Sequence, residues 1–193
     1  MDEDLKKIIH TLIQEKDPLK KSLGVLAVIT KALKPVGIKP ILVGGRALEF
    51  YTLGGYATKD IDLVINGREQ AKVVLTAMGF LQRPGERHWY HEELDVALEI
   101  PDEYLAGSLD KLFIVEINGM EAFIIGIEDL IIDRLAAAKF WKSPGDAQWA
   151  AKLLALHAQE IDMKYLEKTA RKEQVEDILV EVIKQSKVYL GMI

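Results

Sequence analysis

Two aspartates, Asp60 and Asp62, stand two residues apart in the otherwise apolar run DIDLVI. In a strand, residues two apart face the same way, so this spacing sets two carboxylates side by side. They repel each other, and either one stays protonated or a cation lies between them. A divalent metal is the usual solution, and Mg²⁺ binds one or two carboxylates together with substrate phosphates. The plainer alternative has Asp60 capping a turn and Asp62 bonded locally or exposed. Upstream, Gly44-Gly45 ends an apolar run and opens a helix-like segment. Glycine lets a backbone approach a ligand closely and adopt positive φ, and a helix N-terminus offers free N–H groups to a phosphate. A glycine pair alone often just turns the chain. Followed by a short helix and then Asp-x-Asp on the next strand, it sets a phosphate cradle beside a metal site. Arg46 comes directly after the glycines, within reach of a phosphate or simply exposed in the first turn.

These residues need a small sheet, with helices, to hold them. KPILVGG reads as a short strand, RALEFYTLGG as a short helix and DIDLVI as the next strand. GREQAKVVLTAMGF is amphipathic, with Ala71, Val74, Leu75 and Met78 on one side. RHWYHEELDVALEI reads as one or two strands. The segment around it gathers Arg83, Arg87, His88, Trp89, Tyr90 and His91, expected as a hairpin with one core aromatic, with a base-stacking edge as the alternative. His88 and His91, three apart on a strand, face opposite ways. KLFIVEINGMEAFIIG reads as a hairpin turning at Asn118-Gly119.

Helices flank this core. Asp17-Pro18 supplies an N-cap and first-turn pair. Leu19, Leu23, Leu26, Val28, Ile29 and Leu33 follow at roughly helical spacing until Pro35 and Gly37. Beyond the hairpin, GIEDLIIDRLAAAKFWK has acids in its first turns and lysines in its last, matching the helix dipole. Glu128, Asp129 and Asp133 fit that role without catalysis. Ser143-Pro144 opens another helix, Asp162 caps a third, and KEQVEDILVEVIKQSKVYL forms a fourth. Trp141 and Trp149 sit at helical spacing and are expected in the core. The expected architecture is α/β (α+β): N-terminal helices over residues 1–38 packed on the core, a small mixed sheet over 39–126, and a C-terminal helical region over 127–193.

The chain of 193 residues contains no cysteine, which excludes disulfides, Cys-type zinc sites and thiol nucleophiles. No apolar run approaches the roughly 20 residues that span a bilayer. The acidic, then amphipathic start is unlike a signal peptide. The expectation is a cytoplasmic protein with no membrane partner. A formal net charge of −5 argues against nucleic-acid binding driven by bulk charge, while a local basic groove stays open.

The stretch VGGRALEFYTLGGYATKDIDLVI resembles the signature of the polymerase-β-type nucleotidyltransferase superfamily: an apolar residue, Gly-Gly or Gly-Ser, a helix, then Asp-apolar-Asp. Within it, the chain is similar to prokaryotic nucleotidyltransferases related to abortive-infection toxin enzymes. Ala47 and Thr58 match their Gly-Gly-x-Ala and the Thr or Ser two residues before the first Asp; Tyr56 stands where relatives often carry Arg. The resemblance implies a nucleotidyltransferase core and a Mg²⁺- (or Mn²⁺-) dependent transferase taking an NTP. It implies metal held by Asp60, Asp62 and a third carboxylate on a later strand. ELDVALEIP offers Glu99, deep in the apolar run, or Asp95, nearer the acidic turn.

Gly44, Gly45 and Arg46 would then hold phosphates, and Thr58 would bond a phosphate or orient the Asp60 loop. Relatives place basic residues on the helix after the core, which points to Lys139, with Arg134 as structural. Glu99 would help to deprotonate an acceptor hydroxyl. The acceptor stays open among an RNA end, a small molecule and a protein. The C-terminal helix could serve a homodimer, and an antitoxin partner is a further possibility. The rivals are a non-catalytic regulatory or toxin–antitoxin partner that retains the fold, and a metal-dependent phosphohydrolase.

Overall fold

A computed structural model describes residues 3–83 and 85–191. The chain divides into two units, Met1–Leu105 with Leu112–Ile125, and Ala106–Lys111 with Gly126–Ile193.

The first unit holds a seven-stranded mixed sheet and four α-helices among the described residues. In chain order these are α1 (Glu3–Ile13), α2 (Pro18–Leu33), β1 (Ile41–Val43), α3 (Gly44–Tyr51), β2 (Asp60–Val64), α4 (Arg68–Ala77), β3 (Leu81–Gln82), β4 (His88–His91), β5 (Val96–Glu99), β6 (Phe113–Ile117) and β7 (Met120–Ile124). The strand order is β3-β4-β5-β2-β1-β7-β6. β2 runs parallel to β5 and β1 parallel to β7, and the other neighbours are antiparallel.

Asp17 caps α2, its Oδ1 accepting from the N–H groups of Leu19 (2.9 Å) and Lys20 (3.1 Å). The helix is then buried without a break from Ser22 to Thr30, because it lies between other elements. It packs on β6 and β7, and α1 and α4 pack on it. Leu5, Ile9 and Leu12 form the buried face of α1, and a Cβ at Gly24 of α2 would collide with Leu12. The β6–β7 hairpin turns where expected: Asn118 (φ 51°) and Gly119 (φ 73°) both take positive φ, as a tight two-residue turn requires.

Registers assign the two sheet faces. Leu42 lies opposite Leu63 and Ile61 opposite Leu98, and all four are fully buried. The alternate residues, Val43 opposite Asp62 and Asp62 opposite Glu99, share the other face. RHWYHEELDVALEI forms two strands, with Trp89 buried and Tyr90 exposed.

The second unit contains α5 (Ile127–Phe140), α6 (Pro144–Leu156), α7 (Met163–Lys172) and α8 (Glu176–Leu190). α6 packs on α5 and α8, and α7 on the same two. Asp162 caps α7 by accepting from the Tyr165 N–H at 3.0 Å. Glu128 and Asp129 are buried polar residues here. Asp129 accepts from the Ser108 N–H (2.8 Å) and from Tyr165 Oη (2.7 Å), and Glu128 accepts from the Asp162 N–H (2.8 Å). The 106–111 segment belongs to this unit through those contacts and the Lys111–Asp162 ion pair at 2.8 Å.

Trp141 corrects one expectation, being 84% exposed rather than in the core. α5 ends at Phe140, and Lys142 takes φ 56° before α6 begins. The helical spacing between Trp141 and Trp149 therefore spans a break, and the two rings do not share a face. Trp149 is half-buried, with the Lys152 ammonium 3.8 Å from its ring centre.

Candidate active site

Asp60 and Asp62 project from β2 to the same face, and register brings a third carboxylate to them. Asp62 is the Cα partner of Glu99 on β5, and Glu99 is the partner of His88 on β4. Asp62, Glu99 and His88 thus form one row across three strands. Burial pushes the Asp62 carboxyl above the usual carboxylate range, the Glu99 and Asp60 charges push it the same way, and a Gly45 N–H bond and His88 oppose the shift. Asp95 lies just outside β5 with φ 52° and accepts from Tyr90 Oη at 2.9 Å. The carboxylate beside Asp62 is therefore Glu99.

Glu99 is already engaged. Arg87 Nε is 3.3 Å from its Oε1 and His88 Nε2 is 3.2 Å from its Oε2. Among the described residues, no three Asp, Glu or His side chains are gathered into a ready metal-ligating group. The donor chemistry still suits a hard divalent cation: oxygen ligands on one face, with one carboxyl disfavoured as a lone anion. Arg87 and His88 are the contacts that sequence reasoning missed. Both residues were visible, but their pairing with Glu99 depends on how β4 and β5 align, and the turn between them does not dictate that register.

The glycines act at close range. Gly44 takes φ 63°, and a Cβ there would collide with the Asp62 carboxylate. The Gly45 N–H opposes the rise of the Asp62 carboxyl, and a Cβ on Gly45 would lie 3.2 Å from Thr58. The first turn of α3 is thereby seated against the carboxylate row and the half-buried Thr58.

Arg46 turns inward. It is 3% exposed, donates to Glu49 Oε2 at 2.5 Å and to the Lys59 carbonyl at 3.1 Å, and its Nε has no hydrogen-bond partner. It thus ties α3 to the residue preceding Asp60. Lys139 and Arg134 belong to the helical unit. Lys139 Nζ donates to the Gln174 carbonyl (2.6 Å) and to Asp177 (2.7 Å), while Arg134 pairs with Asp133 and with Asp146 (2.8 Å).

Comparison with known proteins places the fold. No family model matches the chain, and no curated protein does. Among solved structures, a crystal structure of an antigenic nucleotidyltransferase-like protein from Paracoccidioides brasiliensis superposes with a TM-score of 0.58 at 18% identity, over 88% of this chain and 94% of that one. The solution structure of the antibiotic-resistance factor ANT(2'')-Ia superposes with a TM-score of 0.51 at 16% identity, over 94% of this chain and 97% of that one. The fold is therefore a nucleotidyltransferase-like α/β fold.

Proposed function

We propose that the protein transfers a nucleoside monophosphate from an NTP to an acceptor hydroxyl. The observation that carries this reading is the shared face of Asp60, Asp62 and Glu99, with Gly44 backed against Asp62 and Gly45 against Thr58. In this reading Asp60 and Asp62 hold Mg²⁺ or Mn²⁺, and Glu99 joins them from the neighbouring strand. The cation supplies charge neutralisation at the transferring phosphate. The first-turn N–H groups of α3 and the Thr58 hydroxyl orient the phosphates. Glu99 accepts the acceptor's proton as the new O–P bond forms and pyrophosphate leaves. Arg46 acts by positioning, because its hydrogen bond to the Lys59 carbonyl sets where β2 begins. Lys139 is held within the helical unit by Asp177 and the Gln174 carbonyl.

The test is binding of a non-hydrolysable NTP with Mg²⁺, followed by assay of pyrophosphate release on acceptor addition. Loss of both in Asp60→Asn with Asp62→Asn is expected. NTP consumption that releases phosphate and labels no acceptor would instead identify a phosphohydrolase. The Arg87 and His88 contacts to Glu99 favour one other reading, a protein that retains the fold without turnover. If Arg87→Ala and wild type both fail to bind NTP, that reading prevails.

A further inference from the structure

Beside Asp60, the carboxylate-bearing face dips into a cavity of about 450 Å³. The registers shape its floor. Asp60 lies opposite Ala97, and Ala97 opposite Tyr90. Neighbouring strands are about 4.8 Å apart, so Asp60 and Tyr90 stand roughly 10 Å apart with only a methyl group between them. The result is a slot one ring wide. Its Tyr90 wall is held by the hydroxyl's bond to Asp95.

The opposite lining is cationic: Lys16, Lys21, Lys59 and Arg46 all reach the cavity. Lys21 is anchored to the Leu94 carbonyl at 3.0 Å. Arg46 borders the cavity too, but its charge is neutralised by Glu49. Against the three lysines stand two carboxylates, Asp60 and Asp95, leaving a surplus of one positive charge in a chain whose formal net charge is −5. Local positive charge in an acidic protein marks a place for an anion.

We propose that this cavity is the acceptor subsite, and that the acceptor is a phosphate-bearing sugar. Its ring fills the slot between Asp60 and Tyr90, its phosphate meets Lys16 and Lys59, and its hydroxyl is presented at Asp60. The role as acceptor rests on the nucleotidyl-transfer reading; the binding of the sugar phosphate does not. A free sugar phosphate and the terminal nucleotide of an RNA carry this same chemistry.

The experiment is calorimetric titration of the full chain with ribose 5-phosphate, ribose and a short oligoribonucleotide. Ribose 5-phosphate should bind, ribose at least tenfold more weakly, and Lys16→Glu should weaken ribose 5-phosphate at least tenfold, with Lys59→Ala as the second variant and thermal melts to confirm folding. Tighter binding of the oligoribonucleotide, equally sensitive to Lys16→Glu, identifies an RNA end as the source; equal affinities identify the free sugar phosphate. No binding, affinities unchanged in both lysine variants, or complete displacement by a non-hydrolysable NTP overturns the proposal. NTP binding to wild type is measured in parallel. Its absence would remove the nucleotidyl-transfer reading while leaving the sugar-phosphate result standing.

Discussion

Arg46 shows how far a residue's type can mislead about its task. Its place after Gly44-Gly45 pointed to a phosphate, yet its guanidinium is spent on Glu49 and the Lys59 carbonyl. Nothing local in the sequence marks Glu49 as its partner, since a three-residue spacing on a helix is equally common on exposed faces. Removing one member of a buried pair strands the other, so Arg46→Ala should lose about 3–5 kcal/mol in urea unfolding. Arg46→Ala combined with Glu49→Ala should recover part of that loss; an Arg46→Ala cost below about 1 kcal/mol would remove the structural role. Tyr165 gives a second residue-scale expectation. Burial, then its hydrogen bond to Asp129, pushes its hydroxyl up to about 12 from 10.0. An acid whose folded pKa is raised stabilises the fold fully below its unfolded pKa. That contribution should fade as the pH rises from about 10 through about 12. The ultraviolet phenolate titration of wild type minus Tyr165→Phe should show this delayed step. A difference titration centred near 10 would contradict it.

At the scale of elements, the strands and helices were legible where local chemistry decides them. Asn118-Gly119 marks the β6–β7 turn, Asp17-Pro18 the start of α2, and Asp162 the start of α7. The β2 alternation correctly set Asp60 and Asp62 on one face. Two-residue β3 went unread because so short a strand has no periodicity. The alignment of β4 on β5, which delivers Arg87 and His88 to Glu99, is a tertiary choice. The β1–α3 junction is the element most exposed to single changes. Gly44→Ala must hold a positive φ and clash with Asp62, so a loss of at least about 1–2 kcal/mol is expected. Chemical denaturation measures it, and Gly37→Ala, also at positive φ but with open space around it, is the control.

For the whole molecule, the segments read from the sequence were 1–38, 39–126 and 127–193, whereas the chain divides into two units with residues 106–111 joined to the helical one. That short segment has no periodicity of its own. Its allegiance comes from Asp129, which takes the Ser108 N–H, and from Asp162, which takes Lys111. Carboxylate repulsion in the sheet unit should be visible in global stability. With Mg²⁺ at 100 times its Kd, linkage stabilises by about 2.7 kcal/mol, so the melting temperature of wild type should rise on adding Mg²⁺ or Mn²⁺. Asp60→Asn with Asp62→Asn should melt higher than wild type without metal and lose the response. A preserved response in that variant would put the cation elsewhere.

The interleaving of the two units has a consequence for dissection and for synthesis. The chain leaves the sheet unit after Leu105, returns at Leu112 and leaves again after Ile125. A fragment cut at Gly126 would carry α5–α8 but not Ser108, leaving Asp129 without the Ser108 N–H. A fragment ending at Leu105 would lack β7, the strand that completes the far side of β1. On the ribosome, β1 waits about eighty residues for that neighbour, with one edge open throughout. A cut after Leu105 separates β6 and β7 from the rest of the sheet unit, and a cut after Ile125 separates residues 106–111 from the rest of the helical unit, so neither cut is expected to leave both fragments soluble.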